Sequence, residues 1–390
     1  MKRIFAFLCA LCCFGAPAHS QAAVVLYGII DNGLQYVSNK GGGRAFQFNS
    51  GWMSGSRWGL QGDEELGAGV RAIFQLEDGF NGGNGLIQQP GRLFGRQAFM
   101  GISLPEIGTV TFGRQYSPVV DFVEFQYLVA QPLEGSSACH LADMDGLCNG
   151  ERINNSIKFK SIEYGGFTFG GLYSFGGNAG SFSRDSIWGV GATLKRSEMV
   201  IGVAYLHVNS PNTSLYNDNL IISSPVTING FAVYPAISGY ASARTQEVIA
   251  IGMSYQIGNV SIGGTYSNTR FGDLGTYPAA GVPSISGTAI FSAYEVRSSY
   301  RFSPALSAGV SFLYTNGSSV DGRAGQRYRE YGIGAVYSFS KSTDVYINAG
   351  YQTANGIDST GKAAMASLPF LMASKSDRQF TSQIGMRHRF

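Results

Sequence analysis

From Val24 onward the chain runs in segments of about ten residues that alternate apolar and polar side chains, as in Val248-Ile249-Ala250-Ile251-Gly252-Met253-Ser254-Tyr255 and Tyr331-Gly332-Ile333-Gly334-Ala335-Val336-Tyr337. Period two puts one set of side chains on each face of a strand. Sixteen such segments start near residues 24, 54, 69, 93, 107, 152, 165, 185, 199, 246, 259, 290, 305, 326, 343 and 378. The connections between them alternate in length. Seven are tight, at 64–67, 105–108, 164–165, 196–198, 257–259, 303–305 and 340–343, and eight are long, near 37–53, 81–92, 117–151, 177–184, 210–245, 271–289, 316–325 and 355–377. Sixteen antiparallel strands with every short turn at one end produce that rhythm. Transmembrane barrels have short periplasmic turns, long external loops and strands of about 9–11 residues. The pattern therefore predicts an all-β fold, a 16-stranded antiparallel transmembrane β-barrel, in a single domain over residues 21–390.

Composition narrows the alternatives. The 390 residues include 54 glycines, 26 phenylalanines and 21 tyrosines, and only 14% are charged. Ordinary soluble domains hold about 25% charged residues and about 7% glycine. Disordered chains are charged and poor in aromatics. Helix-rich folds do not tolerate this much glycine. A soluble sandwich or solenoid alternates in the same way, but it needs more surface charge for solubility. The mean hydropathy of +0.02 is the sum of an apolar face turned to lipid and a polar face turned to water.

The first residues read as a processing segment. Met1-Lys2-Arg3 is positive, residues 4–14 form an apolar run too short to span a bilayer, and small residues follow to Ser20. This predicts a signal peptide over residues 1–20, cleaved after Ser20. Its loss removes Lys2 and Arg3 from a formal charge of +3, and nothing in that balance calls for nucleic acid. Cys9, Cys12 and Cys13 leave with it. Cys139 and Cys148 remain, and in an oxidising compartment a nearby pair is expected to bond. At the other end, Phe380, Ser382, Ile384, Met386 and Phe390 share one parity against Gln383 and Arg387. A last strand of this kind, ending in phenylalanine, suits an insertion signal centred on Phe390.

Several segments resemble the trimeric general porins of Gram-negative bacteria, in the branch typical of betaproteobacteria. They are Val25-Leu26-Tyr27-Gly28-Ile29-Ile30-Asp31, Ser56-Arg57-Trp58-Gly59-Leu60-Gln61-Gly62, Phe94-Gly95-Arg96-Gln97-Ala98-Phe99, Gly108 to Tyr116, Arg152-Ile153-Asn154-Asn155-Ser156-Ile157 and Gly385 to Phe390. The resemblance implies a homotrimer in outer-membrane lipid. Each subunit would hold a water-filled pore narrowed by an inward-folded third loop, passing ions and small hydrophilic solutes passively, with no cofactor and no chemical step.

Residues 117–151 would be that loop. They carry Asp121, Glu124, Glu134, Asp143, Asp145 and Glu151 against no Lys or Arg, so the loop is predicted to be the acidic side of the constriction, with Asp121 and Glu124 foremost. The opposite wall should be basic. Arg57 alternates with Trp58 and Leu60, Arg71 shares a face with Gln75 and Glu77, and Arg152, Lys158 and Lys160 face away from Ile153, Ile157 and Phe159. The family's pore arginines carry over to Arg57, Arg96 and Arg152. Arg96 shares parity with Phe94 and Met100, and Arg114 with Val110 and Phe112; a bulge or a position beyond the apolar band would bring both inward. The predicted basic wall is Arg57, Arg71, Arg96, Arg114, Arg152 and Lys158. No nucleophile-base constellation and no spaced metal-ligand set appears, so neither a catalytic residue nor a metal is expected. A substrate-specific channel and a surface adhesin barrel remain the alternative readings.

Overall fold

The computed structural model describes residues 23–124, 139–217, 221–223, 226–228, 230–277 and 282–390. The cleavage segment and Glu134 lie outside the described residues. The strands are β1 (Ala23–Lys40), β2 (Gly43–Ser50), β3 (Arg57–Gly67), β4 (Val70–Gly79), β5 (Gln97–Leu104), β6 (Gly108–Gln115), β7 (Ile153–Ser161), β8 (Phe167–Ser174), β9 (Ile187–Arg196) and β10 (Met199–Asn209), then β11 (Ile221–Ser223) and β12 (Val226–Ile228), which pair only with each other, then β13 (Thr245–Ile257), β14 (Val260–Leu274), β15 (Gly287–Arg301), β16 (Leu306–Gly317), β17 (Gln326–Ser338), β18 (Thr343–Gly356) and β19 (Arg378–Arg389).

Neighbours in sequence pair antiparallel all the way round, and β1 pairs with β19 over Ile29 to Val37, which closes the sheet. Gly28 and Phe390 exchange backbone hydrogen bonds of 2.9 and 3.1 Å at the seam. β2 and β3 lie end to end along β1, β2 against Asn32 to Lys40 and β3 against Ala23 to Ile29, so the two make one stave. The closed barrel therefore has sixteen staves.

That shared stave corrects the expectation of a long loop over 37–53. β1 continues to Lys40, turns through Gly41 and Gly42, both at positive φ, and returns as β2. The sequence carried the signal: Phe46 and Phe48 alternate with Gln47 and Asn49. The residues between the two half-strands fold into the barrel. The Asp31 carboxylate accepts hydrogen bonds from the Met53 and Ser54 amides (2.8 and 2.7 Å) and from the Tyr346 hydroxyl (2.6 Å), and the Trp52 indole donates to Asn348 of nearby β18 (2.9 Å). A second correction concerns Ile153, expected on the outer face and instead fully buried beneath the third loop.

The outward face is apolar and ringed by aromatics. Tyr255, Tyr300, Phe302, Tyr337 and Phe339 cluster at the short-turn end, where amphipathic rings suit a membrane interface. The packed core lies inside the barrel. Tyr234, Ile237 and Tyr240 of the loop before β13 join Phe271, Phe291 and Tyr328 of the wall and Ala364 and Ala366 of the loop after β18. The two loops are clasped where Tyr234 Oη accepts from the Phe370 amide (2.9 Å) and Ser359 Oγ donates to the Pro235 carbonyl (2.6 Å). This filling occupies the β13–β18 side and leaves the open space against β1–β7.

Candidate functional site: a constriction inside the barrel

The third loop is docked on small residues. Its first part, including the helical turn Val120–Glu124, lies across β8, β9 and β10 where they turn Gly170, Gly189, Gly191 and Gly202 inward. A Cβ at Gly170 would stand 2.9 Å from the Phe122 ring, one at Gly189 3.3 Å from Pro118, and one at Gly202 3.2 Å from the Val123 Cα. Glycine is what lets backbone and ring approach the wall this closely. The Thr193 hydroxyl, beside them, donates to the Phe122 carbonyl at 2.9 Å.

The second part of the loop is latched to the other wall. His140 Nδ1 lies 2.5 Å from Asp145, its Nε2 lies 3.3 Å from Glu295 of β15, and Ser267 of β14 donates to Asp145. Gln246 of β13 donates to the Met144 carbonyl at 2.7 Å. Burial alone would lower the His140 pKa, but Asp145 and Glu295 outweigh it and hold it up at about 10. His140 is therefore protonated at neutral pH, and its charge is spent on the latch. The Cys139 and Cys148 sulfurs are joined, with Cα atoms 5.4 Å apart, closing this second part on itself.

Between loop and wall lies a cavity of about 1200 Å³. Arg57, Arg96, Arg152, Lys158 and Lys160 line it, as do Asp121, Glu124, Asp143 and Glu151. Three guanidiniums gather around one carboxylate and one phenol. Glu77 Oε1 lies 2.7 Å from Arg96 Nε, and its Oε2 3.9 Å from Arg57 Nε; Arg96 donates to the Tyr116 hydroxyl at 3.0 Å; Arg152 lies 5.3 Å from the Tyr116 ring centre. Burial pushes the Tyr116 pKa up, yet Arg96 and Arg152 bring it net below the ordinary phenol value. That is the response of a phenol in a strongly positive potential.

The loop acids do not present a matching negative face. Asp121 lies 2.7 Å from Lys158 Nζ, and Asp145 belongs to the His140 latch. Burial first, and then Asp143, holds the Glu124 carboxyl well above its usual range. Burial and the neighbouring Asp145 hold Asp143 at about 7, and burial with Asp143 holds the Glu151 carboxyl well above its usual range.

Two members of the predicted basic wall stand apart. Arg71 has luminal parity but pairs with Asp63, half-exposed near the short turn between β3 and β4, away from the cavity. Arg114 sits where the β6–β7 register shifts and is buried behind the cavity. Its guanidinium donates to the Gly95 carbonyl (2.8 Å) and to Asn154 (2.6 Å), bracing the backbone that carries Arg96 and Arg152. Arg96 lies just before β5, beyond the strand whose parity made it ambiguous. Phe390 is at the seam, outside the cavity. Four participants were missed in the sequence: Glu77, Tyr116, and Glu295 with the Arg297 that ion-pairs to it on β15. The pair had left a signal in two opposite charges sharing a parity against Tyr294 and Val296.

A closed sixteen-stave barrel, apolar outside, with a charged, loop-narrowed cavity inside, defines a porin-type outer-membrane barrel. The chain belongs to the Gram-negative porin family, whose model matches residues 8–357. It is 28% identical to an outer membrane porin protein of Bordetella pertussis and 25% identical to outer membrane porin protein 32 of Delftia acidovorans, each match covering 100% of both chains. Among solved structures, the anion-selective porin from Comamonas acidovorans has a TM-score of 0.68 at 20% identity, covering 95% of this chain and 100% of that one. OmpT of Vibrio cholerae in its trimer form has a TM-score of 0.64 at 15% identity, covering 95% and 99%. The protein is an outer-membrane porin of a Gram-negative bacterium, and its relatives are channels, not enzymes.

Proposed function

We propose that the cavity is a passive, water-filled eyelet for ions and small hydrophilic solutes, that it favours anions, and that the chain works as a homotrimer. The observation that carries the reading is the gathering of Arg57, Arg96 and Arg152 around the Glu77 carboxylate and the Tyr116 phenol taken together. A fixed charge excess acts on a passing ion without any chemical step. The expected contest between an acidic loop and a basic wall is one-sided in this reading. Asp121 and Asp145 are spent on partners, and Glu124, Asp143 and Glu151 are held toward their neutral forms. The likeness to the anion-selective porin from Comamonas acidovorans and to OmpT of Vibrio cholerae in its trimer form supports anion preference and trimeric assembly.

Swelling of liposomes containing the purified porin tests the diffusion reading. Rates across sugars and amino acids should fall smoothly with solute size; one solute admitted far out of size order would mark a substrate-specific channel instead.

Charge preference should also depend on pH. Below about 7 the Asp143–Glu151 pair carries less negative charge, and above it the pair ionises beside Arg152. Chloride preference over potassium, read as the zero-current potential in a salt gradient, is therefore expected to be greater below about pH 7 than above it and to decline as pH rises through about 7. Asp143→Asn should flatten that decline.

A further inference from the structure

One apolar ring stands in the water of the cavity, against the pattern of its own chain. In the loop after β18, Leu368-Pro369-Phe370-Leu371 makes a β-turn in which the Leu371 amide donates to the Leu368 carbonyl at 3.2 Å. Proline at the second position and a positive φ at the third mark a type II turn, whose third position usually holds glycine. Here that place is taken by Phe370 at φ 59°, a strained conformation for a bulky residue. Leu368 and Leu371 on either side are buried, packed with Trp52, Met53 and Tyr346. Phe370 turns the other way, and its ring lines the cavity with 49% of the residue exposed. The turn is well anchored. The Phe370 amide donates to Tyr234 Oη (2.9 Å), the Leu368 amide to Gln379 (2.8 Å) and the Ser367 amide to Gln352 (2.6 Å). A buried scaffold thus keeps a phenylalanine in water, where burial would be favoured. Backbone strain of this kind collects at ligand clamps.

The surroundings of the ring define the other end of a ligand. Tyr234, which holds the Phe370 amide, lies within electrostatic reach of Asp143 and Glu151 of the third loop. Asp143 is occupied by the Cys148 and Gly150 amides (2.8 and 2.6 Å), and Arg152 donates to the Gly150 carbonyl (2.6 Å). Ring and guanidinium therefore flank the same stretch of the third loop, and both line the one cavity. A guanidinium fork matches a carboxylate. An aromatic solute packs offset or edge-on against a phenylalanine ring. An apolar surface with a few convergent polar groups is the usual build of a site for a small organic molecule.

We propose that Phe370 and Arg152 form a subsite for small aromatic monocarboxylates, with the ring of the solute against Phe370 and its carboxylate toward Arg152 and Arg96. The proposal rests on the reading of the cavity as an anion path and narrows it. Chloride passes by charge alone, whereas an aromatic anion is also concentrated by contact with Phe370. Retention is brief, because a channel site must release what it holds.

Planar-bilayer recordings of the full-length porin test this with three probes added on the long-loop side: 3-phenylpropionate (ring and charge), propionate (charge alone) and 3-phenylpropan-1-ol (ring alone). Millimolar 3-phenylpropionate should interrupt the chloride current at concentrations several-fold below those at which either of the others does. In Phe370→Ala and in Phe370→Gly the interruption should weaken about three- to tenfold, the range of one aromatic contact. Glycine suits the turn at this φ, so a loss in Phe370→Gly is not a loss of fold, and Phe370→Tyr should keep the effect. The wild-type zero-current potential in a potassium chloride gradient is read in the same membranes. With chloride preference present, 3-phenylpropionate acting no more strongly than propionate or the alcohol would overturn the subsite and leave the anion path standing. So would an undiminished effect in Phe370→Gly. Absence of chloride preference would overturn both.

Discussion

Replacing Arg57, Arg96 and Arg152 together by glutamate should invert the sign of the zero-current potential in a potassium chloride gradient, turning a chloride-preferring channel into a potassium-preferring one. Arg57 and Arg96 share the Glu77 carboxylate, and Arg96 and Arg152 meet at Tyr116 at the edge of the cavity, so their charges act on the same short stretch of the path. An ion passing about 4 Å from a unit charge in water feels about 1 kcal/mol, roughly fivefold in its local concentration and in opposite senses for anion and cation. Three reversals compound that factor. Charges much more than a Debye length of about 8 Å away are screened at physiological salt, which supplies the internal control. Arg71→Glu changes the formal charge by the same amount per site, but its partner Asp63 lies near the short turn and outside the cavity. It should leave the potential nearly unmoved. If Arg71→Glu shifted the potential as far as Arg57→Glu, net lumen charge would be responsible, and the arginine cluster would have no special role. Arg96→Gln alone should be the most damaging single change to stability. It leaves Glu77 buried with the Tyr27 hydroxyl at 3.0 Å and the 3.9 Å contact to Arg57, and stripping the close cation from a buried ion pair costs about 3–5 kcal/mol.

The sixteen staves were legible because a barrel between lipid and water writes its pattern twice, once in period-two alternation and once in the alternation of turn and loop lengths. Strand starts fall within four residues of those read from the chain, for example at 57 for 54 and at 97 for 93. The shared stave was missed because its two halves are separated by residues 51–56, which fold inward and break the alternation. The site was legible to a lesser degree. Parity brought Arg57, Lys158 and Lys160 to the lumen, since it is a local property of one strand. It could not say that Asp121 meets Lys158 37 positions away, or that His140 draws Asp145 and Glu295 into a latch. Counting acids in residues 117–151 gave the loop a formal charge. The charge that reaches the ion path depends on pairing and burial, which are properties of the closed barrel. For the same reason Arg114 and Arg71, equal to their neighbours in the sequence, separate in space into a brace and a rim residue.

The last large effect expected comes from residues without side chains. Gly191→Val/Gly202→Val should lower the main conductance level and make the current fluctuate between levels. Both glycines face inward under Phe122, and Gly191 lies opposite Gly170 on β8. A Cβ at Gly191 would lie 2.9 Å from the Phe122 Cγ and one at Gly202 3.2 Å from the Val123 Cα, closer than carbon atoms approach without repulsion. Valine suits a strand, so the barrel should close as before while its lining stands too proud for the loop. Displacement would break the Thr193–Phe122 hydrogen bond, worth about 1 kcal/mol, and uncover the Phe122 ring, worth about 1.5–3 kcal/mol. Together these shift the docked loop toward undocked states by roughly a hundredfold or more. The loop has nowhere to go but toward Arg57 and Arg96, because its second part stays latched at His140; hence a narrower path and a flickering one. Thr193→Val removes the hydrogen bond without adding bulk and should give the flicker with little loss of conductance. Gly43→Val, at a site with open space around it, should do neither. Planar-bilayer recordings of the three variants decide the matter. A steady, full-sized conductance in Gly191→Val/Gly202→Val would show that the close approach of Phe122 to this glycine surface is not what holds the third loop in place.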